Sequence, residues 1–215
     1  MGGKKNIVGW EEILANQPEA YKKWFEEEKK FFIKHINKNS KILEVGCGNG
    51  RSIKDMLNIT KDITGIDHDE TAIEHAKNNF KKCPSVKIIL AEGANLPFVD
   101  KTFDYVTCIG TFANFSEEKY KILEEMKRVL KEEGKIVISV YSEDALSERL
   151  KAYRKIRAEI KEIKENGKVI FDDFGKDGIS EQFSKKQLSV IFKKVGLSIE
   201  KIKKAGIGYI CKLRK

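Results

Sequence analysis

The chain has 215 residues, 40% apolar and 35% charged, enough to bury one full core under a heavily charged surface. No apolar run approaches a membrane span and MGGKKNIVGW lacks the apolar centre of a secretion signal; Cys47, Cys83, Cys108 and Cys211 have neither zinc-site spacing nor a disulfide framework, so a cytoplasmic protein with reduced thiols and no metal is expected. The net charge of +9 is mostly lysine interleaved with glutamate, as in EEMKRVLKEEGK, which is the pattern of a solvated helix face and by itself neither requires nor excludes nucleic acid.

Residues 10–37 are helical in pattern. Trp10, Ile13 and Leu14 open one segment, and Pro18 suits the start of a second that carries Tyr21, Trp24, Phe25, Phe31, Phe32 and Ile33. KILEV reads as a short buried strand that runs into the glycines Gly46, Gly48 and Gly50, with a helix beginning over Ile53–Leu57. DITGID is the next strand, and ETAIEHAKNNF a helix with Ala72, Ile73, Ala76 and Phe80 on one face. SVKIIL and FDYVTCI follow as strands, then a helix from about Ser116, its expected N-cap, to Leu130, then the strand KIVISVY. This alternation implies a parallel sheet covered on both faces.

From Ser142 to about Asn166 the sequence reads as a long charged helix, followed by GKVIFDDFGKDG, and together they look like an insertion. The core pattern resumes with SKKQLSVIFKKVG, where Ser184 and Gln187 have capping-box spacing and Gly196 sits at the helix end. LSIEKI and IGYICKLR, joined by KKAG, read as an antiparallel hairpin. The expected organisation is a single domain, 1–215, with a helical lid over 1–38 and an insertion over 142–183.

The glycine loop narrows the ligand. A dinucleotide pattern needs a third glycine five residues on, but Arg51 and Ile53 occupy those positions, and no Gly-Lys-Ser/Thr follows. Glu44 would set negative charge beside a pyrophosphate. A zwitterionic amino-acid group suits it better, with the ammonium toward the acid and the carboxylate toward the helix start. Asp67 ends the next strand, 21 residues after Gly46, where an acid accepts both hydroxyls of a ribose; the alternative is that Asp67 or Asp69 caps the following helix.

With AEGANLPFVDKTFDYV added, the chain resembles the class I S-adenosylmethionine-dependent methyltransferases, in the type 11 group. Glu44–Gly50 matches the E/D-x-G-x-G-x-G motif, Asp67 the ribose acid, and Glu92–Gly93 stands where the family usually has Asp-Ala for adenine. LPF (96–98), FDYV (103–106), VLKEEGKIVIS and EAYKKWF (19–25) carry the likeness further, over roughly residues 19–141. The resemblance implies a three-layer α/β Rossmann-like fold, with a mostly parallel seven-stranded sheet, an antiparallel last strand, N-terminal helices and a helical insertion after strand five. It implies S-adenosyl-L-methionine held by Glu44, Gly46, Gly48, Asp67, His68, Glu92, Gly93, Ile109 and Tyr21, with His68 either flanking the adenine or lying exposed.

Methyl transfer from a sulfonium is an in-line displacement that needs alignment and exclusion of water more than a fixed base, so no catalytic residue is assigned. Trp24, Phe112, Asn114 and Tyr141 are candidates for the acceptor side, although aromatic residues placed, as Tyr21 and Trp24 are, on an amphipathic helix more often face the core. Glu181, Gln182 and Phe183 either border the cleft or cap the next helix. Cys47 reads as a small residue between glycines, and His75 as solvent-facing. The expected reaction is methyl transfer to a small molecule. The alternatives are an RNA acceptor, suggested by RLKAYRKIRAEIKEIK, and a binding protein that no longer catalyses. The sequence carries no sign of oligomeric state.

Overall fold

The computed structural model describes residues 18–172 and 178–215, so Trp10, Ile13 and Leu14 lie outside the described residues. Helix α1 (Glu19–His35) starts directly after Pro18, whose carbonyl accepts the Tyr21 amide at 2.9 Å. Tyr21, Trp24, Phe31 and Phe32 are buried along it, whereas Ile33 faces outward. Then follow β1 (Ile42–Val45), α2 (Arg51–Met56), β2 (Ile63–Asp67), α3 (Glu70–Phe80), β3 (Val86–Leu90), β4 (Phe103–Ile109), α4 (Lys119–Val129) and β5 (Leu130–Tyr141).

The expected helix start at Ser116 is corrected. Two 3₁₀ turns, Phe112–Asn114 and Ser116–Glu118, precede α4, and Ser116 has φ +46° with no capping bond. Packing decides this: Phe112 is inserted between Phe183 and Phe192, at 5.7 and 6.1 Å between ring centroids, which holds the chain in a tight turn.

The insertion is also corrected, because it is only partly helical. Helix α5 spans Leu146–Lys155, and β6 (Ile160–Ile163), β7 (Val169–Phe171) and β8 (Ile179–Ser180) form a separate antiparallel sheet. Arg157 at φ +55° ends the helical course. Asn166-Gly167 then makes the hairpin turn, with Gly167 at φ +77° and the Lys164 amide bonded to the Lys168 carbonyl at 2.9 Å. That Asn-Gly turn signal was present in the sequence beneath the charge pattern of a helix.

Helix α6 (Lys185–Lys194) carries the expected capping box of Ser184 and Gln187. The hairpin of β9 (Ser198–Ala205) and β10 (Gly208–Arg214) completes a seven-stranded sheet of order β3-β2-β1-β4-β5-β10-β9. The first five strands are parallel, while β10 runs antiparallel to both β5 and β9. The core is centred on β1, β4 and β5, where Ile42, Leu43, Val106, Val137 and Ile138 are fully buried. Strand order reverses between β1 and β4, so the chain leaves their carboxyl ends in opposite directions and opens a crevice there.

One cation ties the insertion to this frame. Arg149 on α5 is fully buried, and its guanidinium donates to the Gly167 carbonyl (2.8 Å), Gln182 Oε1 (2.9 Å), the Ser180 carbonyl (2.6 Å) and Tyr153 Oη (3.3 Å). It also lies 4.9 Å from the Tyr141 ring centroid. Arg149→Met leaves buried carbonyls without donors, so we expect a loss of about 3 kcal/mol or more in chemical denaturation. Limited proteolysis should then cut first within residues 156–172, and an unchanged digestion pattern would show that another contact holds the insertion.

Candidate cofactor site

The glycine loop is strapped between strands. The amides of Gly46 and Cys47 both donate to the Ile66 carbonyl on β2, at 2.9 and 2.8 Å, and Thr111 Oγ1 donates to the Gly46 carbonyl from beyond β4 at 2.8 Å. Gly46 sits at φ +75°, and a Cβ there would fall 2.4 Å from the Thr111 side chain, so both conformation and space demand glycine. Gly48 and Gly110 differ: a Cβ on either meets no atom within 4 Å. They flank open space at the carboxyl ends of β1 and β4.

Asp67 holds the loop from its other side. It is 9% exposed, and Oδ2 accepts the Gly48 amide at 2.8 Å while Oδ1 accepts the Asp69 amide at 3.1 Å. The helix-capping role falls to Asp69, whose Oδ1 accepts Thr71 N and Ala72 N at the start of α3. His68 is half exposed, with Nδ1 3.5 Å from Asp67 Oδ1. Glu92 is exposed, and Gly93 lies close under Val45, where a Cβ would come within 3.2 Å of Val45 Cγ1.

Glu44 is completely buried. Oε1 accepts Ser52 Oγ (3.0 Å) and the Ile109 amide (3.2 Å), and Oε2 accepts Thr107 Oγ1. Its carboxylate therefore braces β1, β4 and α2 instead of offering a free oxygen to a ligand. Burial raises its pKa to about 7, against the opposing pull of those donors and of Arg51.

A second buried layer, which the sequence reading missed, lies on the same face. Glu28 of α1 is 0% exposed; Oε1 accepts Ser139 Oγ at 2.5 Å, and Oε2 is 2.9 Å from Arg51 Nη2. Arg51 follows the glycine loop directly and stacks 3.9 Å over the Phe25 ring. Burial outweighs Arg51 and Ser139 and pushes the Glu28 carboxyl up. One signal was available: Glu28 shares the stripe of Tyr21, Trp24 and Phe31 at helical spacing, a charge where an apolar residue belongs.

The acceptor-side candidates separate. Tyr21, Trp24 and Tyr141 meet at the end of β5, with Tyr21 Oη 3.2 Å from Tyr141 Oη and the Trp24 and Tyr141 ring centroids 5.0 Å apart. All three are almost fully buried. Asn114 is half-buried after β4, but Phe112 points into the core. Ile109 contributes its amide to Glu44. Glu181 pairs with Lys119 at 2.7 Å, Gln182 binds Arg149 and the Glu143 carbonyl, and Phe183 is buried, so these three join the insertion to the sheet. His75 is exposed on α3. Burial, with Asp67 and Glu44 nearby, drives the Cys47 thiol well above its ordinary value, which leaves it a poor nucleophile. Among the described residues no His, Cys, Asp and Glu cluster could hold a metal, and no helix is long and apolar enough to cross a membrane.

A family model for a methyltransferase domain matches residues 43–138. The chain is 35% identical over 154 residues to the uncharacterized protein MJ1123 of Methanocaldococcus jannaschii, covering 68% of this chain and 70% of that one. It is 34% identical over 114 residues to a demethylmenaquinone methyltransferase of Staphylococcus aureus, covering 52% of this chain and 47% of that one, about half its length. The fold matches a SAM dependent methyltransferase from Aquifex aeolicus at a TM-score of 0.69 and 20% identity, over 94% of this chain and 96% of the other.

Glu44 predicts a distinctive pH dependence. Its carboxyl is raised in the fold above its ordinary 4.5, so the stabilisation belongs to the protonated form. It is fully present below about pH 4.5 and is lost as pH rises to about 7. Urea titrations at pH 4.5, 6 and 8 should show the stability of Glu44→Gln rising relative to wild type by about 3 kcal/mol across that window. Parallel curves would mean that Glu44 is ionised throughout. For the glycines, Gly46→Ala should cost about 2 kcal/mol or more through the Thr111 clash, and Gly48→Ala only about 1 kcal/mol, readable in the same titrations.

Proposed function

The chain belongs to the class I S-adenosylmethionine-dependent methyltransferases, with S-adenosylmethionine as methyl donor, and we propose that it methylates a small-molecule acceptor. The residues present fit the donor: the space beside Gly48 and Gly110 leaves room for backbone approach, and the Asp67 carboxylate stands at the end of β2. In this reading Asp67 holds the ribose hydroxyls, Glu92 and the Gly93 backbone meet the adenine beside His68, and Gly46, Gly48 and Ile109 border the methionine part. Tyr21 closes over it from the lid. Glu44 acts by positioning the loop.

The observation that carries the acceptor class is the aromatic cluster of Tyr21, Trp24 and Tyr141 at the end of β5, each 2% exposed or less. Aromatic surroundings of this kind suit a compact acceptor with an apolar body better than a polyanionic strand. The demethylmenaquinone named for the Staphylococcus aureus relative is in keeping with that choice.

The bound donor supplies a methyl group on a sulfonium, which needs no acid to help it leave. The chain's part is to align the acceptor with that carbon and to keep water out. The Tyr21 and Tyr141 hydroxyls are held protonated by burial, so they orient an acceptor as hydrogen-bond donors and do not remove its proton. Cys47 stays a thiol. None of these three groups therefore serves the acceptor as a base.

Asp67→Asn should weaken S-adenosylhomocysteine binding by about tenfold or more in calorimetry, through loss of a charged hydrogen-bond acceptor. Turnover of methyl-labelled S-adenosylmethionine with a pool of small metabolites should label a low-mass product. Labelled RNA instead, with binding that weakens steeply as salt is raised, would overturn the small-molecule reading and point to Lys151, Arg154 and Arg157, exposed on the insertion.

A further inference from the structure

A cleft of about 320 Å³ opens where the insertion, α4 and α6 meet, and its described walls include no residue of the glycine loop or of β2. Three lysines reach it from separate elements: Lys119 opens α4, Lys168 directly precedes β7, and Lys186 lies in the first turn of α6. Among the described lining residues the acid is Glu181 alone. Phe183 and Ile191, both buried, and the exposed Val190 supply an apolar side.

Fastening the insertion to the sheet accounts for one of these cations, not three. Lys119 is 6% exposed, and its Nζ stands 2.7 Å from Glu181 Oε2, yet that oxygen has no aligned donor. The pair is held by charge, and the Lys119 N–H bonds are not aimed at the acid. Lys168 Nζ is 3.8 Å from Glu181 Oε1, beyond hydrogen-bond reach, and Lys186 is exposed. Three positive charges around one carboxylate leave an excess of positive charge in the cleft. The helices point the same way. Both α4 and α6 carry a lysine in the first turn and no acid there, against the preference of a helix start for negative charge.

We propose that this cleft binds a small phosphate monoester with an apolar body, at a site separate from the donor's. Lys119, Lys168 and Lys186 surround the phosphate, whose near-double charge at neutral pH matches their excess over Glu181. The two helix starts favour the same anion, and Phe183, Val190 and Ile191 carry the body. The inner wall is bonded to the sheet: the Glu181 amide donates to the Ala113 carbonyl just after β4 at 2.8 Å, and the Phe183 amide to the Tyr141 carbonyl at the end of β5 at 3.0 Å. The inference does not rest on the choice of methyl acceptor.

Calorimetry with phenyl phosphate, and with phenol as its uncharged counterpart, tests this with and without S-adenosylhomocysteine. Wild-type protein should bind phenyl phosphate at least about tenfold more tightly than phenol, and equally well when S-adenosylhomocysteine is present. Lys168→Met should weaken phenyl phosphate by about tenfold or more, the range for a hydrogen bond between charged groups. Glu181→Gln should strengthen it, because the competing anion is gone while the side chain keeps its shape. A pair with a purely structural role would give no such rise. Displacement of phenyl phosphate by S-adenosylhomocysteine would put it in the donor's site and overturn the proposal. So would equal affinity for phenol, no binding at about 10 mM, or indifference to both substitutions.

Discussion

The structure depends most on one buried carboxylate. Glu44 has no exposed surface, and its two oxygens take three donors from two other elements: Ser52 on α2, and Thr107 and the Ile109 amide on β4. The strand order reverses between β1 and β4, and a crevice at a reversal is only as well defined as the join between its two banks. An aliphatic side chain at position 44 would pack but would leave the Ser52 hydroxyl and the Ile109 amide facing no acceptor. The acid makes the join directional, at the cost of a pKa raised to about 7.

From that brace the loop geometry follows in steps. Gly46 and Cys47 bond back to β2, Asp67 takes the Gly48 amide, and Thr111 fills the only space a side chain at position 46 would need. The loop is thereby fixed at both ends and open in the middle, beside Gly48. Preorganisation of this kind is what displacement at a methyl carbon requires, because alignment rather than proton transfer is the main contribution a protein makes to it. Glu28, Arg51 and Arg149 extend the same logic to α1 and the insertion, where ionic groups join those segments to the sheet.

Most of the architecture was legible because local pattern and tertiary role agree in it. Parallel strands buried on both faces read as short apolar runs, and the capping box at Ser184 and the cap at Asp69 are local bonds that need no partner from elsewhere. The misreadings fall where packing overrode local preference. Ser116 has the composition of a helix start, but the seating of Phe112 between Phe183 and Phe192 delays the helix to Lys119. The run from Ser142 to Asn166 is charged enough to pass for one helix, yet its second half pairs as strands because the Asn166-Gly167 turn brings β6 and β7 together.

The sequence by itself determined the cofactor class and the frame that receives it, since the glycine spacing, the acid at the end of the second strand and the strand–helix rhythm are all short-range features. Only the tertiary structure decided what each charge does. Glu44, read as a charge for the ligand, became a brace once Thr107 and Ile109 arrived from 63 and 65 residues away. Glu28 and Arg51, unremarkable in the chain, became an ion pair when α1 laid Glu28 against Ser139, 111 residues on. Whether a carboxylate contacts solvent, ligand or protein depends on which distant donors reach it, and no local pattern records that.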